Sequence, residues 1–256
     1  MGKAIRYLII AVMAAAILMC GREFWQIYGN YAQEAKVKDS VAKYRPNAEE
    51  NMTATAEPSQ AQPYPDAGDP EAGDKGNQSI SELQSQVNMD IIGWLTIPNT
   101  HIDYPVAISN DNSFYLKHDL YGNYAEAGSL FMDYRCARDF SDYSSIIYGH
   151  NMKNRSMFGD LRLFADEGFL DANPPGVIFT HDNTFTLEFF AYLTVSGDDE
   201  IIYNANITRG EFLEYVRKRA SVFREPTTNE SVIVLSTCSS GNSETRTVLI
   251  ASMTAN

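Results

Sequence analysis

The sequence predicts a mainly β fold with helical insertions: an eight-stranded barrel with an N-terminal helix and a longer helix before its last two strands. Three observations carry this. Eight runs read as strands: 93–97, 103–108, 129–134, 144–149, 176–180, 185–195, 231–237 and 245–253. The connections between several of them are short, and closure into a barrel removes exposed edges. Helical spacing is confined to a few windows. Ser79-Ile80-Ser81-Glu82 is a capping box, followed by Ile80, Leu83 and Val87 at helical intervals. Residues 156–165 predict a short helix. Thr208 and Glu211 form a second capping box, and Phe212, Leu213, Val216, Ala220 and Phe223 then line one face, which predicts a helix over 208–223. His181-Asp182-Asn183-Thr184 predicts a hairpin turn.

The barrel occupies the last part of the chain, residues 79–256. Residues 1–28 read as an uncleaved signal-anchor. Tyr7 to Cys20 is apolar throughout, and from Ala4 the stretch reaches 17 residues, about the shortest that spans a bilayer. Lys3 and Arg6 precede it, and Phe24, Trp25 and Tyr28 follow at interface depth. This predicts a single-pass membrane protein with a cytoplasmic N-terminus and the rest exported. No small-x-small site follows the apolar run, which disfavours a cleaved signal peptide. Residues 29–78 read as a polar helix (29–44) and then an acidic spacer that lifts the barrel off the membrane. Residues 45–77 hold five of the ten prolines and seven acidic residues against two basic ones. Such a composition cannot bury enough apolar surface to offset its ordering entropy.

Composition narrows the function. The 256 residues carry 20 Lys and Arg against 33 Asp and Glu, a formal charge of −13. So acidic a chain repels phosphate backbones, which argues against nucleic acid as a partner. Three cysteines cannot staple a disulfide mini-fold or complete a four-cysteine zinc site. No Gly-rich nucleotide cradle is present. No cofactor and no metal are expected.

The chemistry concentrates at three strand ends. Cys238 closes the apolar run Val232-Ile233-Val234-Leu235-Ser236-Thr237, and the polar residues after it place the thiol at the barrel rim. Arg246 stands eight residues on, early in the next strand, so thiol and guanidinium face one spot. His150 ends the run Ile146-Ile147-Tyr148-Gly149. A thiolate, an imidazole and a fixed cation together make an acyl-transfer unit. The thiolate attacks a carbonyl, the imidazole exchanges protons with amines, and the cation holds the oxyanion. Each residue alone has a bland reading: a buried inert thiol, a strand-end hydrogen-bonder, a surface cation. His101, His118 and His181 read as turn and loop residues, Cys136 as a passive loop thiol and Cys20 as inert in the membrane.

Tyr148-Gly149-His150-Asn151-Met152, Leu235-Ser236-Thr237-Cys238 and Thr245-Arg246-Thr247-Val248-Leu249-Ile250-Ala251 resemble the His, Cys and Arg signatures of sortases. The resemblance covers about residues 80–253, and a helix before the cysteine strand points to class B. It implies a cysteine transpeptidase on the outer face of a Gram-positive cell. Such an enzyme cleaves a C-terminal sorting motif after its Thr, through a thioacyl intermediate. It then passes the protein to an amine on a cell-wall precursor peptide or to a pilin lysine. The resemblance implies Cys238 as nucleophile, His150 as general acid/base and Arg246 as carbonyl or oxyanion partner. It aligns Asn112, Leu116 and Ser236 with motif-contacting positions and Ile202 and Tyr203 with a groove wall. It also implies an NP-x-T-N-like or P-x-T-G-like motif. Ser239 stands where several relatives carry an acidic residue, and no acidic calcium cluster or second hydrophobic span is apparent. Two rivals remain from the residues. One is an L,D-transpeptidase-like wall enzyme, disfavoured by Thr237 before the cysteine and Asn151 after the histidine. The other is a non-catalytic membrane-tethered barrel.

Overall fold

Each of the eight strand-like runs finds a strand in a single sheet that closes on itself. The computed structural model describes residues 3–46, 74–228, 231–239 and 242–256. Among these, the strands are β1 (Ile91–Thr96), β2 (Asp103–Ala107), β3 (Leu130–Met132), β4 (Ser144–Tyr148), β5 (Gly176–Thr180), β6 (Thr184–Ser196), β7 (Val222–Phe223), β8 (Ser231–Ser239) and β9 (Asn242–Ala255). Their order is β5-β1-β2-β3-β4-β8-β9-β6, and β6 pairs back onto β5 to complete a ring of eight. The two-residue β7 flanks β6 outside the ring. Two pairings are parallel, β2 with β3 and β4 with β8. Parallel neighbours need long crossovers, so both helical insertions after β4 fall between β4 and β8.

The core explains why β8 and β9 read as continuous apolar runs rather than alternating ones. Val232, Ile233, Val234 and Leu235, and opposite them Val248, Leu249, Ile250 and Ala251, are all fully buried. One face of these strands fills the barrel and the other is covered by insertions, so both faces select for apolar side chains. A second core cluster lies outside the ring. There Ile80 and Leu83 of the helix Asp74–Gln86 (α2) pack with Trp94, Tyr115, Phe131 and Phe179.

Helix boundaries differ from the sequence expectations, for local reasons. The helix α2 begins at Asp74, so Ser79 lies inside it rather than at its cap. The helix Arg209–Arg219 (α4) starts after Thr208, as expected, but the Thr208 hydroxyl donates to the Glu211 carboxylate at 2.5 Å instead of accepting from a backbone N–H. It also stops early. Ala220 turns extended, Ser221 N–H donates to the Tyr192 carbonyl at 2.9 Å, and Val222–Phe223 pair with β6. Strand pairing overrides the helical spacing that Phe223 continues. In place of a helix over 156–165 there is a 3-10 turn at Leu161–Ala165, then the short helix Glu167–Ala172 (α3), capped by the Asp166 carboxylate accepting from Phe169 N–H at 2.8 Å.

At the N-terminus a single helix, Lys3–Val41 (α1), runs through both the apolar stretch and the polar residues after it. It holds a window apolar enough to cross a bilayer, with mean hydropathy 1.8. Its polar end packs on the barrel through Glu34, Val37, Lys38 and Val41, one face of a helix. Glu34 is buried and accepts from Tyr104 Oη at 3.2 Å and Ser156 Oγ at 2.7 Å. Most of the acidic spacer read from the sequence lies outside the described residues.

The β8 core sets one expectation for stability. Leu235→Ala removes a side chain with no exposure and is expected to cost about 2–5 kcal/mol in denaturant unfolding. Lys218→Ala breaks only an exposed helix pair with Glu214 and is expected to leave the midpoint nearly unchanged.

Candidate active site

The register of three adjacent strands brings the candidate residues together. Tyr148 of β4 pairs with Ser236 of β8, and Gly149 N–H continues the ladder to the Ser236 carbonyl at 3.2 Å. His150 therefore follows β4 at the level where β8 reaches Cys238. Across the other edge of β8, Cys238 pairs directly with Arg246 of β9. Neighbouring strands lie ~4.8 Å apart, so the three backbones stand side by side over about 10 Å. Cys238 sits within the β8–β9 hairpin itself, because β8 runs on to Ser239 and β9 starts at Asn242. The sequence reading ended the strand sooner, at Thr237.

A cavity of about 210 Å³ opens here, lined by His150, Arg246, Ser236 and Thr237, with Asn112 and Leu116 from the β2–β3 loop and Tyr203 from the segment before α4. His150 Nε2 lies 2.7 Å from the Leu116 carbonyl. A carbonyl only accepts, so Nε2 carries the hydrogen and Nδ1 is the other face of the ring. Arg246 Nη1 donates to the Thr245 carbonyl at 3.2 Å. Its guanidinium passes over Gly197, where an added Cβ would lie 3.2 Å from Cζ. Gly197 thus leaves the room the guanidinium occupies.

Behind the cavity a buried carboxylate ties its walls together. Asp133, at the end of β3, has no exposure. It accepts from Asn112 Nδ2 at 2.9 Å, Tyr148 Oη at 2.9 Å, and Arg135 Nε and Nη2 at 2.8 and 2.7 Å. Burial alone would push its pKa up. The bonds from Arg135, Tyr148 and Asn112 outweigh this and hold it below the ordinary carboxylate value. Asn112 Oδ1 in turn accepts from Tyr134 N–H at 3.0 Å, so both ends of its amide are fixed. Tyr148 lies against Tyr203, ring centroids 6.1 Å apart, and the Tyr203 and Ser236 hydroxyls are 2.9 Å apart. Gly128 closes the loop that carries Leu116. Its φ is +57°, and an added Cβ would lie 2.3 Å from the Tyr115 carbonyl oxygen.

Of the eight residues singled out from the sequence, six line the cavity: His150, Arg246, Asn112, Leu116, Ser236 and Tyr203. Cys238 joins them by its backbone register. Ile202 does not. The Asp199 carboxylate accepts from Ile201 N–H at 3.1 Å and Ile202 N–H at 2.9 Å, and this turn sends Ile202 fully into the core. Among the contributors not singled out are Tyr148, Asp133 and Gly197. Tyr148 stands two residues before His150 on the same strand, and that alternation was the available signal. The remaining candidates behave blandly. Cys136 is buried, and desolvation pushes its thiol up to about 11. His118 stacks on Phe114, and His101 and His181 donate to Asp160 and Asp182, each at 2.7 Å. Among the described residues, no group of His, Cys, Asp and Glu is placed to hold a metal ion.

The closed barrel is the architecture of solved class B sortases. Class B sortase of Streptococcus pyogenes, described as involved in pilus biogenesis, is 31% identical, with TM-score 0.62 over 68% of this chain and 97% of that one. Sortase B of Listeria monocytogenes is 35% identical, with TM-score 0.58 over 67% of this chain and 98% of the solved one. The full-length Listeria sortase B is 39% identical over 164 residues, 62% of this chain and 66% of that protein, just under two thirds of its length. No family model matches the chain. The chain belongs to the class B sortase family.

The Asp133 network and a similar one at Asp160, which accepts from Arg155 at 2.6 Å and from His101, set a pH dependence. Burial pushes the Asp160 carboxyl up, but these bonds win and hold it below its ordinary value. Both carboxylates are depressed in the folded state. Their stabilisation is present above the unfolded value, about 4, and is lost as pH falls through the lower folded values. The urea midpoint is expected to drop across that acid range. In Asp133→Asn/Asp160→Asn the midpoint is expected to be lower at neutral pH and flatter in acid.

Proposed function

We propose that the chain is a membrane-anchored cysteine transpeptidase that cleaves a C-terminal sorting motif after its Thr and transfers the protein to an amine. The observation that carries this reading is the register that sets Cys238 opposite Arg246 and beside His150, at one cavity. Family membership supports it.

In this reading the Cys238 thiolate attacks the carbonyl carbon of the scissile bond. The oxyanion that forms is held by Arg246, whose planar fork presents several donors at once. The carbon–nitrogen bond breaks, and the His150 imidazolium gives its proton to the departing amine, leaving a thioester on Cys238. An incoming amine attacks the thioester and passes its proton to His150, and the sulfur leaves as thiolate. The acceptor is a cell-wall precursor peptide or a pilin lysine. Asn112, Leu116, Ser236 and Tyr203 hold the motif in the cavity. The apolar part of α1 spans the membrane once, with the N-terminus cytoplasmic and the barrel outside.

Three variants test the roles. Cys238→Ala is expected to abolish cleavage of sorting-motif peptides while leaving the melting curve nearly unchanged; a sharp fall in the midpoint instead would make the residue structural. Arg246→Lys is expected to lose about two to three orders of magnitude in kcat, the size of removing one oxyanion donor. Wild-type rates from the lysine variant would remove that role. Alkylation of Cys238 is expected to depend on pH, and His150→Ala to change that dependence; an identical profile would separate His150 from the thiol.

A further inference from the structure

The described chain on both sides of residues 47–73 packs on the barrel. The helix α1 is continuous from Lys3 to Val41, and its polar end is already on the barrel. Gln33 Nε2 donates to the Tyr124 carbonyl at 2.8 Å, Lys38 Nζ donates to the His101 carbonyl at 3.3 Å, and the Ser40 and Tyr121 hydroxyls lie 3.0 Å apart. After the helix, Arg45 pairs with Asp103 at 2.8 Å and Pro46 is buried. The chain is next described at α2, whose Ile80 and Leu83 share a core cluster with Val41 of α1. The described connection from the apolar stretch to the barrel therefore runs along α1.

The distance between the apolar stretch and the barrel is set by α1. Large apolar residues along the helix are exposed as far as Tyr28, with Phe24 and Trp25 at 71% and 73%. The first bond to the barrel is made by Gln33, five residues later, which is ~7.5 Å along a helix axis. The residues it reaches belong to the β2–β3 loop, where Tyr121 and Tyr124 are exposed. Tyrosine suits the headgroup layer, having an apolar ring and a polar tip.

Resting on the anchor reading of the previous subsection, we infer that the barrel is seated directly on the bilayer surface, with Tyr124 of the β2–β3 loop, the residue met by Gln33, against phospholipid headgroups. The seat is mechanical rather than electrostatic, since a chain of net charge −13 is repelled by anionic lipid. The same loop carries Asn112 and Leu116 to the cavity, so the site is held within one loop of the membrane.

The full-length chain in vesicles of phosphatidylcholine and phosphatidylglycerol tests this, in a Cys20→Ser/Cys136→Ser/Cys238→Ser background with a bimane on Tyr124→Cys. Brominated lipid is expected to quench both the bimane and the native Trp25. Replacing residues 47–73 by a short Gly-Ser link is expected to leave the bimane quenched, and inserting a long flexible linker after Gly29 to release it. Quenching of Trp25 without quenching of the bimane overturns the seat and leaves the anchor standing. Bimane quenching that survives the insertion also overturns it, because the helix would then not be what holds the barrel. Loss of Trp25 quenching, with the protein extracted by alkaline carbonate, overturns the anchor itself.

Discussion

The arrangement depends on β8 being paired on both edges, in parallel with β4 and antiparallel with β9. A strand with a free edge can slip or fray, and a shift of one residue reverses which side chains face each side of a sheet. Held between two partners and buried on both faces, β8 has one register. That register delivers residue 238 between the ends of its two neighbours. The parallel pairing matters most. It forces a long crossover between β4 and β8, and this crossover supplies α4 and the segment carrying Tyr203. The constraint that aligns the candidate residues thus also furnishes one wall of their cavity.

The opposite wall is organised by a buried charge. Asp133 lies where water cannot solvate it, and each hydrogen it accepts comes from a group with a position to keep: the Asn112 amide, the Tyr148 hydroxyl and the Arg135 fork. Removing any one leaves a charge short of a partner in a low-dielectric setting, so the penalty exceeds the worth of a single hydrogen bond. This makes the β2–β3 loop rigid where it meets the cavity, although it has little regular structure.

How much of this was legible in the sequence follows from the physics of each signal. The eight strands were legible because burial on one or both faces writes alternating or continuous apolar runs. The strand-end positions of Cys238, His150 and Arg246 were legible because each closes or opens an apolar run. Asp133 was not, since one Asp closing Leu130-Phe131-Met132 looks like the end of a strand, and its partners lie up to 21 residues away. Ile202 and Tyr203 were adjacent and both plausible, and only the turn around Asp199 decides which faces the cavity. The docking of α1 was hidden because two of its four contact residues are Glu34 and Lys38. A buried Glu with two hydroxyl donors, and a Lys lying over the Tyr104 ring at 4.1 Å, carry no apolar signature. Most of residues 45–77 lies outside the described residues, and its last residues, from Asp74, are helical. Composition does not say where the two ends of a segment attach.

The bond between His150 and Leu116 joins these parts. Because the Leu116 carbonyl accepts from Nε2, Nδ1 is the ring nitrogen left for other partners. Leu116 belongs to a short 3-10 turn whose neighbour Tyr115 is buried and bonded to Asp90 at 2.8 Å, and the loop beyond it binds α1 through Tyr124. The orientation of the imidazole is therefore set by a chain of contacts that starts at α1.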